Sequence, residues 1–261
     1  MSLFLRRPAG TLGRALLVFA GWIAITVLAA PTLESGATLA DLVTHGIAWQ
    51  VVLAGGFVLA AAILVRWQDA GLGGAGLGAP RWGSLKLLWF PGLYVALMLG
   101  VASLGTLPAA PVLAFLFLNT LCVGISEETM FRGVLLSGLR ARLRLWPAVA
   151  ISTVVFGVVH VLNVFLTGDL VLAVAQACAA MASGLLLAAT RIRTGSLWPA
   201  IGYHGIWDFA TFLAFLAHVP GMEAAGGGTG VEEMPLWAPV IPLVFILPIG
   251  LYGLFLLRHE R

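Results

Sequence analysis

Apolar positions along this chain come in long unbroken runs, without the alternation of a half-buried strand or the single apolar stripe of a surface helix. Runs of spanning length fall near residues 13–32, 47–65, 87–104, 110–139, 147–166, 170–190, 196–217 and 236–257. A helix rises about 1.5 Å per residue, so roughly 20 apolar residues cross the hydrocarbon core of a bilayer. The pattern predicts an all-α polytopic membrane bundle of about eight transmembrane helices. No internal repeat is visible, and residues 1–261 read as a single membrane-embedded domain.

The breaks between runs are informative mainly by what they lack. Two are glycine-rich, "DAGLGGAGLGAPRWG" at 69–83 and "GMEAAGGGTGVEEM" at 221–234. Neither ends in the Lys-Ser/Thr that a phosphate-binding loop needs, so both read as connectors. The first 30 residues superficially resemble a signal peptide, with a basic flank and an apolar run of about 18 residues. Further spans follow, so a retained first helix is the expectation.

Composition supports the membrane reading. Only 10% of residues are charged and 61% are hydrophobic, where a soluble domain carries about a quarter charged. The net charge of +3 comes from basic residues scattered singly between apolar runs, which offers nucleic acid no patch. Topology accounts for them better. With eight spans and the N-terminus inside, the inside loops hold Arg6, Arg7, Arg14, Arg66, Arg81, Lys86, Arg140, Arg142, Arg144, Arg191, Arg193, Arg258 and Arg261. The outside loops hold Glu34, Asp41, Asp169, Glu223, Glu232 and Glu233. By the positive-inside rule both termini face the cytoplasm. Thirteen arginines to one lysine, with abundant Ala and Gly, fit a GC-rich bacterial genome and hence a multi-pass inner-membrane protein. Cys122 and Cys178 sit in apolar runs without a CxxC pattern and read as buried free thiols. Trp49, Trp198 and Trp237, with Tyr203 slightly deeper, read as interfacial anchors. His45, His218 and His259 fall in loops or at span ends, where solvent satisfies them.

One stretch breaks the apolar pattern. "GISEETMFRG", residues 124–133, follows sixteen uncharged residues from Pro111 to Ser126, yet carries Glu127, Glu128 and Arg132. A charged side chain at the centre of a spanning helix costs about 2.5–3.5 kcal/mol on insertion scales, so function is the usual reason for its presence. Two other spans hold deep polar groups: His160 in one, His204 and Asp208 in another. Counted from the nearest basic span end or Trp146, all three helices place these groups roughly 17–22 Å from the inner surface. Glu128 and Arg132 are four residues apart and can pair on one helix face, as can His204 and Asp208. A carboxylate beside a buried histidine can fix its tautomer. Glu127 points about 100° away from Glu128, so the two carboxylates take different roles.

Acyl transfer through a serine or cysteine nucleophile does not fit: no GxSxG turn is present, and neither cysteine has a base at helical spacing. A carboxylate and a histidine in a low-dielectric site suit general-base activation of water. A second histidine–carboxyl pair could bind a substrate carbonyl and stabilise a developing oxyanion. That is the chemistry of peptide-bond hydrolysis inside a membrane.

"EETMFR" at 127–132, "FGVVH" at 156–160 and "HGIWD" at 204–208 follow EExxxR, FxxxH and HxxxN/D in order and spacing. In these three signatures the chain resembles the CPBP family, the CAAX prenyl proteases and bacteriocin-processing enzymes, with a core of about 110–217. The resemblance implies an intramembrane glutamate-type peptidase in which Glu127 and His160 activate water. It implies that His204 and Asp208 contact the oxyanion, and that Glu128 and Arg132 support the site. Asp208 departs from the Asn of many members; an ionised Asp would repel an oxyanion, so an orienting role beside His204 is expected. Members have also been described as metalloproteases. HExxH is absent and a carboxylate base needs no metal, so no cofactor is expected, with zinc as the alternative.

An ion- or proton-coupled transporter would also place Glu, His and Asp in the membrane, although the paired halves common in such folds are not seen. A non-catalytic, bacteriocin-immunity-like protein would be expected to have lost a motif residue, and none is lost. The expected partners are the lipid bilayer and a membrane-associated protein or peptide substrate. Removal of a hydrophobic C-terminal segment is preferred over cleavage of a leader peptide.

Overall fold

The computed structural model describes residues 11–30, 40–64, 74–218 and 241–260. In chain order the helices are α1 (Thr11–Leu28), a single turn α2 (Asp41–Thr44), α3 (Trp49–Leu64) and α4 (Trp89–Ser103), which continues a 3₁₀ segment Trp82–Leu88. Helix α5 (Ala110–Glu128) runs through a π-helical segment, Thr129–Leu135, into α6 (Leu136–Arg140). After it come α7 (Leu145–His160), α8 (Val164–Thr167), α9 (Leu170–Thr194), α10 (Trp198–His218) and α11 (Ile241–Leu257). Among the described residues there is no strand, and the protein is the polytopic helical bundle that the apolar runs predict.

Among the described residues, six of the eight expected spans are helical stretches long and apolar enough to cross a membrane: 11–28, 82–103, 110–140, 145–167, 170–194 and 198–218. The runs at 47–65 and 236–257 carry α3 and α11, apolar helices whose described parts are 16 and 17 residues long. What precedes α3 fixes where it begins. Its predecessor, Ala40–Ala48, packs against the middle of α5, where the buried Asn119 donates to the carbonyls of Val43 (2.9 Å) and Gly46 (2.6 Å). The same Asn119 accepts from the Ala48 amide at 3.0 Å. Non-helical backbone inside an apolar layer persists only where protein satisfies it. One amide side chain satisfies three backbone groups of this segment, and α3 begins at Trp49.

Helix α5 lies between α3 and α10, and α9 lies between α7 and α11. The Arg-rich ends gather at one end of the bundle. Ser137 Oγ and Arg191 Nη2 both donate to the Gly74 carbonyl at 3.0 Å, Arg81 holds the Ile192 and Arg193 carbonyls, and Arg193 pairs with Glu260 at 2.9 Å. The described part of the first glycine-rich loop is therefore tied down along its length, with Leu197 N and Ser196 Oγ donating to the carbonyls of Gly76 and Gly78. Large apolar side chains such as Leu17, Leu28, Leu64 and Phe165 project outward unpartnered, as a hydrocarbon surround requires.

Trp49 and Trp198 are exposed at the first residue of their helices, the position of an interfacial anchor. Tyr203 is not such an anchor: it is buried in a cluster with Val95, Leu186 and Ile249, because its side of α10 faces α4 and α9. Cys122 and Cys178 are free thiols, but Cys178 is exposed and Cys122 only half-buried, since their helix faces turn away from the core. His45 is exposed, and His218 caps its own helix through a 2.9 Å contact with the Ala214 carbonyl. Arg6, Arg7, Arg66, Arg261, Glu34, Glu223, Glu232, Glu233, Trp237 and the loop 221–234 lie outside the described residues.

Candidate active site

The close approach of α5 and α10 builds the centre of the site. Gly124 on α5 faces Ile201 and Gly205 on α10: a Cβ at Gly124 would sit 2.7 Å from the Ile201 carbonyl oxygen. A Cβ at Gly205 would sit 3.0 Å from the Leu121 Cα. Two glycines thus let the backbones touch, one turn before Glu128 and directly beside His204. Trp22 on α1 fixes the opposite side of α5 by donating its indole N–H to Ser126 Oγ at 2.9 Å.

Glu128 and Arg132 are both buried, with Arg132 Nη1 donating to Glu128 Oε1 at 2.9 Å. The same oxygen lies 2.8 Å from His204 Nδ1. The imidazole therefore presents its other nitrogen, Nε2, to Asp208 Oδ2 at 3.4 Å and Glu127 Oε2 at 3.7 Å. The two adjacent glutamates do point in different directions, yet they meet opposite nitrogens of one histidine. Asp208, expected as the group that orients His204, is the longer contact. Glu128 makes the short one.

Arg132 lies within the π-helical stretch, whose widened turn shows in the Leu136 amide bonding back five residues to Phe131. Ser152 on α7 donates to that same Phe131 carbonyl at 2.9 Å, and so pins the bulge to the neighbouring helix. Such π-bulges are rare and are frequently found at functional sites. Regular α-helical spacing did not foretell this one.

His160 is the last residue of α7, with Nδ1 2.8 Å from the Phe156 carbonyl. A bond from Nδ1–H to that oxygen leaves Nε2 as a free acceptor. Phe156, fully buried, links the two histidines: its ring centroid is 4.8 Å from that of His160 and 6.1 Å from that of His204. The Arg132 guanidinium carbon sits 4.0 Å over the same ring, an attraction that strengthens when the cation is desolvated. Glu127 has His160, His204, Asp208 and Glu128 as electrostatic neighbours. All six sequence-predicted residues are accordingly brought into one locus. Phe156 is the residue whose role was missed, although its spacing four before His160 and its place in "FGVVH" could have suggested it.

Glu127 Oε2 and Glu128 Oε2 are buried and without a hydrogen-bond partner. Among the described residues no three His, Cys, Asp or Glu side chains are grouped to hold a metal ion. Glu128 is already committed to Arg132, and Nδ1 of each histidine to a protein oxygen. A dication would share the locus with the Arg132 cation.

Comparison with known families bears on what a buried carboxylate–histidine locus does in this bundle of apolar helices. Residues 109–210 match the family described as Rce1-like: Type II CAAX prenyl endopeptidase Rce1-like. The matched segment runs from the start of α5 into α10 and contains all six site residues, so the CPBP resemblance read from the three motifs holds over it. The match points to a protease embedded in the membrane and acting on a membrane-associated substrate. No curated protein and no solved structure matches the chain.

Proposed function

We propose that this protein is an intramembrane endopeptidase that hydrolyses a peptide bond by glutamate-assisted attack of water. The observation that carries the reading is the pair of unsatisfied groups at the locus, Glu127 Oε2 and the free edge of His160. His160 is held through Nδ1 by the Phe156 carbonyl, and both groups border the same locus as His204 and Asp208. Glu127 takes a proton from water, and His160 Nε2 orients that water by accepting its second hydrogen. The hydroxide oxygen attacks the scissile carbonyl carbon. The developing oxyanion is met by Nε2 of His204 in its doubly protonated form, whose Nδ1–H remains on Glu128. The proton held by Glu127 then passes to the leaving amine as the C–N bond breaks. Asp208 restrains the His204 ring and stays off the oxyanion. Glu128, Arg132 and Phe156 act as positioning residues. The reaction as written is metal-free, and zinc held by Glu127, His160 and His204 is the alternative that chelation decides.

The substrate is a membrane-associated chain, and removal of its hydrophobic C-terminal segment is the reading favoured, because apolar partitioning delivers such a segment to this depth. Both termini of the protease face the cytoplasm in the inner membrane, on the one-sided distribution of its basic residues. The test compares C-terminal peptides in membrane fractions from cells carrying the wild type or Glu127→Gln. New C-termini present only with the wild type support the reading. An uncut N-terminal leader in the variant, with unchanged C-termini, overturns the substrate assignment.

A further inference from the structure

At the Arg-rich end of the bundle two cavities share Trp82. One, of about 660 Å³, is lined by Arg81, Lys86 and Arg193 with Trp89 and Tyr252. The other, of about 770 Å³, is an almost wholly apolar groove between the 82–88 segment with α4 on one side and α10 on the other, lined by Leu85, Val95, Pro199 and Ile206. Charge and apolar surface are thus joined end to end on the outside of the bundle, with a tryptophan at the junction.

Among the described residues these charges are only partly offset. Glu260 pairs with Arg193 at 2.9 Å and offsets it. Arg81 donates to the carbonyls of Ile192 and Arg193, which fixes its position and leaves its charge in place. Lys86, the single lysine of the chain, is exposed. A net surplus from Arg81 and Lys86 therefore faces the mouth of an apolar groove at the level of the exposed Trp82 and Trp89, residue types that sit at the headgroup layer.

We propose that this paired cavity binds an anionic phospholipid of the surrounding membrane, its phosphate between Arg81 and Lys86 and one acyl chain in the groove against α10. Basic pockets between membrane helices take anionic headgroups for this reason: the phosphate finds fixed cations without leaving the bilayer. The charge selects the headgroup, and the groove selects a ligand with a long apolar chain. The groove also has room to spare. A Cβ at Gly92 or at Gly202, which face each other across it, would meet nothing within 4 Å. Gly202, Tyr203 and Ile206 form its wall on α10, beside His204 in the sequence, so the bound chain would brace the helix that carries the site.

The experiment uses the full chain in detergent micelles, titrated with phosphatidylglycerol or phosphatidylcholine of identical acyl chains and read by native mass spectrometry. Retention of phosphatidylglycerol over phosphatidylcholine by about thirtyfold is expected for two surplus cations near the surface. Lys86→Glu, an exposed change, removes that preference. Gly202→Phe, which fills the groove, lowers retention of both lipids, and Leu85→Trp repeats the block from the opposite wall should the first variant fail to fold. Equal retention of the two lipids by the wild type overturns the proposal, as does a preference that survives Lys86→Glu. Groove-filling variants that raise KM for a peptide substrate while leaving phosphatidylglycerol retention unchanged also overturn it, since the groove would then hold the substrate.

Discussion

His204 Nδ1 lies 2.8 Å from Glu128 Oε1, an oxygen that also accepts from Arg132 at 2.9 Å. The histidine is thereby anchored to an ion pair on another helix, and its free nitrogen faces Glu127 and Asp208. Orientation of the ring is set across the α5–α10 contact, more than within α10.

Glu127→Gln should lower hydrolysis by roughly 10²–10⁴-fold, the usual contribution of a general base, with the protein still folded and membrane-inserted. Gln is nearly isosteric but cannot take the proton. Cleavage of a fluorogenic or full-length substrate by purified variant and wild type checks this; a wild-type rate removes Glu127 from its role.

Arg132→Met should destabilise the protein by about 3–5 kcal/mol, because it leaves the Glu128 carboxylate buried and uncompensated. The double variant Glu128→Gln/Arg132→Met should recover most of that stability and little activity, since His204 loses its anchor. Thermal unfolding in detergent alongside an activity assay separates the two effects. Full activity in a well-folded double variant would show that the pair is structural only.

Gly124→Val should abolish activity and lower the unfolding temperature, by forcing α5 away from the Ile201 carbonyl and Gly205. Gly56→Ala, where a Cβ meets nothing within 4 Å, serves as the contrast. It should be neutral or stabilising by up to about 1 kcal/mol from helix propensity. If the two variants behave alike, the close approach does not position the site.

Asn119→Ala should destabilise the protein by about 2 kcal/mol or more, since it orphans the Val43 and Gly46 carbonyls and the Ala48 amide. Proteolysis or cysteine labelling within 40–48 should become faster. Unchanged protection there would mean that the segment is held by packing alone.

Prolonged chelation should leave activity intact, with elemental analysis well below one metal per chain. Stoichiometric zinc, with activity lost on chelation and restored by zinc, would assign Glu127, His160 and His204 as ligands.

Much of this was written in the sequence. Apolar runs announce helices directly, because a bilayer offers no other partner for the backbone. Charges there are so costly that Glu127, Glu128, Arg132, His160, His204 and Asp208 stood out without any structure, and helical spacing paired Glu128 with Arg132. Tertiary structure decided the rest. Run length could not reveal how the segment before α3 is held, since that depends on Asn119 meeting the Val43, Gly46 and Ala48 backbone from 71–76 residues away. Local spacing favoured Asp208 as the partner of His204, being one turn away. The fold instead gave the short contact to Glu128, 76 residues distant, because Gly124 and Gly205 let two helices meet. The π-bulge and the Phe156 ring beneath Arg132 likewise follow from contacts between α6, α7 and their neighbours. Periodicity carries the hydrophobic ledger of each helix, but only packing decides which residues of different helices share one site.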